Sequence, residues 1–212
     1  MNTDTEVMHE FVLPYNSTMK TPTDNNIPMA AANRFSLNMK TVHEVDANTR
    51  IIPAPYKTIV DDGAQTFDIN GVSLVNSELL GVLSSGAMDL LSKLSVSSSG
   101  NHKVSFALGT LTVEIADMAE AYTMEVTAQG TNITGADSTG LFNGFMSFIG
   151  LLDVKNNGKM TLTDMTVHDK PRFGHRGHQI DTARNFRSKE AIMKTIDAMA
   201  LWKVCHVVFA DQ

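Results

Sequence analysis

KPRFGHRGHQIDTARNFRSKEAIMKTIDAMALWKVCHVVFADQ, residues 170–212, is the stretch that decides the fold. Residues 177–181, Gly-His-Gln-Ile-Asp, form a short strand closed by the polar turn Thr182-Ala183-Arg184-Asn185. Ser188 is placed to cap a helix, and Glu190 falls in its first turn, where the helix dipole favours an anion. Ile192, Ile196 and Met199 follow at i, i+4 and i+7, one apolar face of an amphipathic helix. Lys203 leads into Val204 to Phe209, too short and too apolar for another helix. That run reads as a second, buried parallel strand, which makes the whole stretch a β/α repeat and a half.

The same residues resemble the opening of the catalytic barrel of the family 20 glycoside hydrolases, the β-N-acetylhexosaminidases. Lys170-Pro171-Arg172-Phe173, His175-Arg176-Gly177, Asp181-Thr182-Ala183-Arg184 and Thr195-Ile196-Asp197-Ala198-Met199-Ala200 stand in the family's order and spacing. One such motif is weak and four in register are strong. The chain also departs from the family's pattern. The interval from Lys203 to His206 is two residues short and lacks the usual asparagine. Val207 and Val208 stand where a tryptophan and a second histidine are usual. His178 takes an apolar strand position, and Asn185 replaces a histidine.

Composition bounds the rest. At 212 residues the chain holds one or two domains, and 42% hydrophobic content suffices for a real core. A formal charge of -6 argues against a nucleic-acid partner, which demands a basic face. No run approaches the roughly 18 apolar residues of a membrane span, and residues 1–20 lack the basic start and apolar centre of a secretory signal. The single cysteine, Cys205, excludes an internal disulfide framework. The 13 methionines read as core filler.

Three segments are expected. Residues 1–48 have no sustained period and read as an extended or disordered leader, with one short strand near Phe35-Ser36-Leu37. Residues 49–169 form an α+β domain, an antiparallel sheet covered by helices. Residues 170–212 begin a (β/α)8 barrel and stop after its first β/α units, a truncated barrel. Within the middle segment, Asn76 or Ser77 caps a helix striped by Leu79, Leu80, Leu83, Leu90, Leu91 and Leu94, weakened by Gly81 and Gly86. Three alternating strands follow: Val104/Phe106/Leu108, Leu111/Val113/Ile115 and Tyr122/Met124/Val126, with Gly109-Thr110 and the stretch from Asp117 to Glu120 as hairpin connections. Period 2 with one apolar face means a sheet covered on one side. Its cover is a helix from Thr139 to Leu152, and a last strand runs from Met160 to Val167. Ile51-Ile52-Pro53-Ala54-Pro55 resembles the family's entry into its non-catalytic domain. Glu120-Ala121-Tyr122 and Gly140-Leu141-Phe142-Asn143-Gly144 resemble that domain's strand and helix start; the glycines are read as close helix-on-sheet packing.

What the resemblance implies about chemistry is specific. Barrel enzymes carry their working residues at the C-terminal ends of strands. There the family uses the arginine matching Arg184 to bind the 3- and 4-hydroxyls of the terminal sugar, and the aspartate matching Asp211 to line the same pocket. A guanidinium fork suits two neighbouring oxygens. Asp181 is read as an ion-pair partner that holds the turn, and Arg176, at the other end of the strand, as structural. The family's reaction is substrate-assisted: the acetamido oxygen attacks the anomeric carbon, an aspartate orients it and the adjacent glutamic acid protonates the leaving group. No Asp-Glu dipeptide follows Asp169, so no catalytic residue is assigned in this chain. The implied partner is a glycan ending in N-acetylhexosamine, or a chitin oligosaccharide. No cofactor is implied, a homo-oligomer stays open, and the location is lysosomal or secreted if the family is followed. Asn16-Ser17-Thr18 and Asn132-Ile133-Thr134 match the glycosylation acceptor pattern.

His175 and His178 form an H-x-x-H that a strand sends to opposite faces, so no metal is assigned. By the same alternation Cys205 beside His206 reads as a buried structural cysteine rather than a nucleophile. Two readings stand: the front portion of a β-N-acetylhexosaminidase, or a non-catalytic relative serving as an interaction or sugar-binding module.

Overall fold

The computed structural model describes residues 50–93, 97, 99–112, 114–116, 118–154, 160–182, 184 and 186–210, all within the unit Val45–Gln212. The leader, the strand at Phe35-Ser36-Leu37, the Asn16 acceptor and the site residue Asp211 lie outside the described residues.

Short strands β1 (Lys57–Ile59), β2 (Thr66–Ile69) and β3 (Val72–Val75) open the chain, followed by a 3-10 turn at Ser77–Leu80 and helix α1 (Leu83–Lys93). The single helix expected from residue 76 is broken between these two at Gly81, whose φ of 58° no β-carbon-bearing helix interior adopts. Next come β4 (His102–Leu108), β5 (Tyr122–Thr127), β6 (Gly130–Gly135) and helix α2 (Ser138–Leu151). Strands β7 (Asp153–Val154), β8 (Met160–Thr163) and β9 (Met165–Asp169) lead to β10 (Gly177–Asp181), α3 (Lys189–Leu201) and β11 (His206–Ala210).

Six strands form the main sheet in the order β1-β9-β5-β6-β4-β3. The sheet is mixed, which corrects the antiparallel expectation: β3, β4 and β6 run parallel, and β6, β5, β9 and β1 antiparallel. The cause is connectivity. The 3-10 turn and α1 carry the chain over the face from β3 back to a parallel β4. The hairpin β5–β6 then folds so that β6, not β5, lies beside β4. Of the expected strand Leu111/Val113/Ile115, the described residues Leu111 and Ile115 are not in a strand. Ile115 N bonds Thr112 O at 2.9 Å in a turn, and Leu111 and Ile115 bury with Ala121 in a small separate cluster. β6 takes the place expected for that strand.

One face of the sheet is buried, as its alternation requires. Val104 and Phe106, Tyr122, Met124 and Val126, Ile133 and Val167 point inward against Leu141, Phe145 and Phe148 of α2 and Leu90 and Leu91 of α1. Asp137 caps α2 by accepting from Gly140 N at 2.7 Å. The helix lies very close to the sheet because it carries glycines there. A β-carbon at Gly140 would stand 2.3 Å from Ala121 O, and one at Gly144 2.6 Å from Ile133 Cγ2. The expected strand 160–167 splits at Asp164, so that β8 joins a small sheet in the order β2-β8-β7 while β9 enters the main one.

The C-terminal stretch forms a β/α/β unit. β10 and β11 pair in parallel, Gly177 opposite His206 through Asp181 opposite Ala210, and α3 crosses between them. Ser188 caps α3, its side chain accepting from Ala191 N at 3.3 Å. Met199 is buried, whereas Ile196 of the expected apolar face and Val208 and Phe209 of the expected buried strand are exposed.

Candidate functional site

Asp181 and Arg184 meet at the C-terminal end of β10. Asp181 closes the strand, and its carboxylate accepts from Arg184 N at 3.0 Å through Oδ1 and from Arg184 Nε at 2.7 Å through Oδ2. The turn thus holds the guanidinium by its inner edge, using one of five N–H donors and leaving the side chain 74% exposed. Asp181 also lines a cleft of about 530 Å³ between β10 and α3, together with His178, Arg187, Ile192 and Thr195. Arg184 does not line it. Asp181 and Arg184 are therefore brought together, and Asp211 lies outside the described residues.

At the opposite end of β10 sits a buried polar network that local sequence patterns did not reveal. Lys203 follows α3 with φ 59°, a left-handed backbone, and its side chain reaches residues of β5 and β9. Its Nζ donates to Asp169 Oδ2 at 2.8 Å and to Tyr122 OH at 3.1 Å. The two charged side chains are only 7% and 11% exposed. Tyr122 OH also lies 2.5 Å from Ser147 Oγ and donates to Asp169 Oδ2 at 3.1 Å, which joins α2 to the network. Asp169 Oδ1 accepts from Tyr56 N at 3.1 Å and Lys170 N at 2.9 Å. Burial pushes the Lys203 ammonium below the ordinary lysine range, and Asp169 opposes that shift. Burial, reinforced by the Asp169 charge, pushes the Tyr122 phenol well up.

Arg176 adds a second tie. Its Nε donates to Lys203 O at 2.7 Å, Nη1 to Phe173 O at 2.8 Å, and Nη2 pairs with Glu120 Oε2 on the loop before β5. Its own carbonyl accepts from Cys205 N and His206 N at 3.0 and 3.1 Å. The structural role expected of Arg176 matches this geometry.

Cys205 is exposed, which corrects the expectation of burial. It precedes β11 rather than lying in it, so strand alternation does not apply, and its Sγ lies 2.9 Å from His206 Nδ1. His206 in turn packs against His175 with ring centroids 4.7 Å apart. Among the described residues no helix is long and apolar enough to cross a membrane.

Residues 48–170 match Glycosyl hydrolase family 20, domain 2, and residues 173–209 match the family's catalytic domain. The chain is 32% identical over 206 residues to N,N'-diacetylchitobiase of Vibrio harveyi, covering 95% of this chain and 23% of that protein. It is 28% identical over 189 residues to β-hexosaminidase of Vibrio vulnificus, covering 88% and 22% respectively. The chain thus spans under a quarter of the length of these relatives. Among solved structures it is similar to a family 20 exo-β-N-acetylglucosaminidase of Vibrio harveyi in complex with N-acetylglucosamine. There the TM-score is 0.62 at 24% identity, over 78% of this chain and 26% of that one. A β-N-acetylhexosaminidase of Streptomyces coelicolor gives 0.59 at 20% identity, over 79% and 35%. At such identities the structural likeness speaks for the fold. The sequence matches carry the relationship, since two consecutive segments align with two consecutive domains of one family and the first spans more than half of the chain: this protein belongs to glycosyl hydrolase family 20.

Proposed function

We propose that this chain serves β-N-acetylhexosaminidase chemistry, the hydrolysis of terminal non-reducing N-acetylhexosamine from glycans or chitin oligosaccharides. In this reading residues 49–169 are the family's non-catalytic α+β domain and residues 170–212 supply the first β/α units of a (β/α)8 barrel. Arg184 grips two sugar hydroxyls with the outer donors of its fork, and Asp211 lines the same pocket. The observation that carries the reading is the 32% identity to a diacetylchitobiase across 95% of the chain, including the barrel-opening segment. The groups that orient the acetamide and protonate the leaving oxygen are assigned outside these residues, since the sequence holds no adjacent Asp-Glu pair.

Two measurements test this. The chain is expected to release no aryl alcohol from an aryl N-acetyl-β-glucosaminide above background, and clear turnover refutes the assignment of the acid elsewhere. N-acetylglucosamine titrated into the chain and followed by NMR is expected to perturb Arg184 and its neighbours. Arg184→Ala is expected to abolish that response while changing stability by less than about 0.5 kcal/mol, as an exposed pair allows. Binding that survives Arg184→Ala refutes the role given to the guanidinium.

A further inference from the structure

Beside the buried network, a cleft of about 300 Å³ opens between the main sheet and the β/α/β unit. Its charged lining holds four cations, Lys170, Arg172, Arg176 and Lys203, against two carboxylates, Glu120 and Asp169. Both carboxylates are already matched, Glu120 by Arg176 and Asp169 by Lys203. The Lys170 ammonium forms no ion pair with a described carboxylate: its Nζ donates to Glu114 O at 2.9 Å and lies 4.5 Å from the centroid of the Tyr56 ring. Arg172 is exposed and likewise has no acidic partner among the described residues. Two unmatched cations thus border one cleft of a chain whose net charge is -6.

The same cleft presents an apolar face. Phe173 is 72% exposed at its mouth, and Pro53 and Pro171 line it. Ligand sites are of this size and kind, an apolar wall with a few placed polar groups that fix orientation. A free inorganic anion would use the cations and leave the ring and the prolines without a partner. A neutral sugar would use the apolar wall and leave the charge surplus unanswered.

We propose that this cleft is a second binding site, for a carboxylate-bearing pyranose, a uronic acid unit of a glycan. The carboxylate meets Arg172 and Lys170, the guanidinium through two parallel N–H bonds. The C–H face of the ring lies on Phe173 and the prolines. The site stands apart from the Arg184 rim. Arg176 precedes β10 and Arg184 follows it, and a five-residue strand separates them by roughly 16 Å. The inference therefore goes beyond the hexosaminidase reading and does not depend on it.

The test is titration of the whole chain with glucuronate, read by calorimetry and by amide shifts, with glucose and acetate as the two partial ligands. Glucuronate is expected to bind one to one at the cleft, at least about tenfold tighter than either partial ligand, a difference worth about 1.4 kcal/mol. Arg172→Gln and Phe173→Ala, both at exposed positions, are each expected to weaken it about tenfold or more. Raising the ionic strength from about 0.02 to about 0.3 M weakens it too, because the contact is charged and solvent-facing. Arg184→Ala is expected to leave it unchanged. Absence of glucuronate binding, equal binding of glucose or of acetate, or loss of binding in Arg184→Ala overturns the proposal.

Discussion

Lys203→Met isolates the buried ion pair between Lys203 and Asp169. Methionine matches lysine closely in length and keeps the left-handed backbone problem at this position unchanged. What changes is that Asp169 loses its buried cation at 2.8 Å. Removing one partner of a buried pair costs about 3–5 kcal/mol, because the other charge stays desolvated. The lower end applies here. Asp169 retains Tyr56 N, Lys170 N and Tyr122 OH, three donors that continue to solvate it. The expected loss is about 3 kcal/mol, a large part of the 5–15 kcal/mol typical of a domain.

Trp202, the only tryptophan, adjoins Lys203 and is 54% exposed, so its fluorescence reports unfolding at the point of change. In urea, with a slope of about 2–3 kcal/mol/M, the midpoint is expected to fall by about 1–1.5 M at unchanged slope. Adding Asp169→Asn to Lys203→Met removes the stranded charge and is expected to recover at least half of the loss. A loss below about 0.5 kcal/mol, or no recovery in the double variant, refutes the claim that this pair anchors the β/α/β unit to the sheet.

Two further variants probe the α+β layer. Burial lowers the pKa of His102, which stacks between Phe67 and Phe148 and meets Thr131 Oγ1 at 2.8 Å. The unfolded chain therefore takes up the proton first. This contribution is full above about pH 6.5 and is lost as pH falls below it, with a ceiling of about 1.4 kcal/mol per pH unit. His168, lowered mainly by burial and then by Lys57, adds in the same direction. Urea midpoints measured from pH 8 to pH 5 are expected to fall, and His102→Gln to flatten the fall; an identical profile in the variant contradicts this. Gly140→Ala places a β-carbon 2.3 Å from Ala121 O, a backbone atom that cannot rotate away. The helix must lift, at a cost of about 1–3 kcal/mol. Gly63→Ala, with nothing within 4 Å, serves as the control. Equal melting temperatures for the two variants contradict the close-packing account.

How far the chain could be read in advance depended on where each element finds its partners. β10 and α3 were legible because their determinants are local: a strand closed by its own turn, then Ser188 with its side chain on Ala191 N. α2 was legible because its apolar surface runs nearly all round and its glycines mark the sheet it touches. β6 was not. Gly130-Thr131-Asn132-Ile133-Thr134-Gly135 has one large apolar residue, and its strand character comes from β4 and β5 on either side. The stretch around Leu111 and Ile115 has the better alternation, yet both of these residues pack in a turn with Ala121, so period 2 alone does not rank the two segments.

The rim and the network differ in the same way. The Arg184 turn is held by Asp181 three residues away, so its geometry follows from a short motif. Lys203 meets its partners 34 and 81 residues away, and nothing near it in sequence announces them. A lysine between Trp202 and Val204 reads as a surface break between helix and strand. It becomes a buried anchor only because β9 ends with a carboxylate at the point where α3 ends, and β5 supplies a phenol between them. The error over Cys205 has the same root, since the alternation rule is sound inside a strand. The chain enters β11 only at His206, after Arg176 has drawn the amides of residues 205 and 206 onto its own carbonyl. The starting point of a strand is thus set by the partner that receives it, and Arg176, more than any property of Val204 or Cys205, places that start.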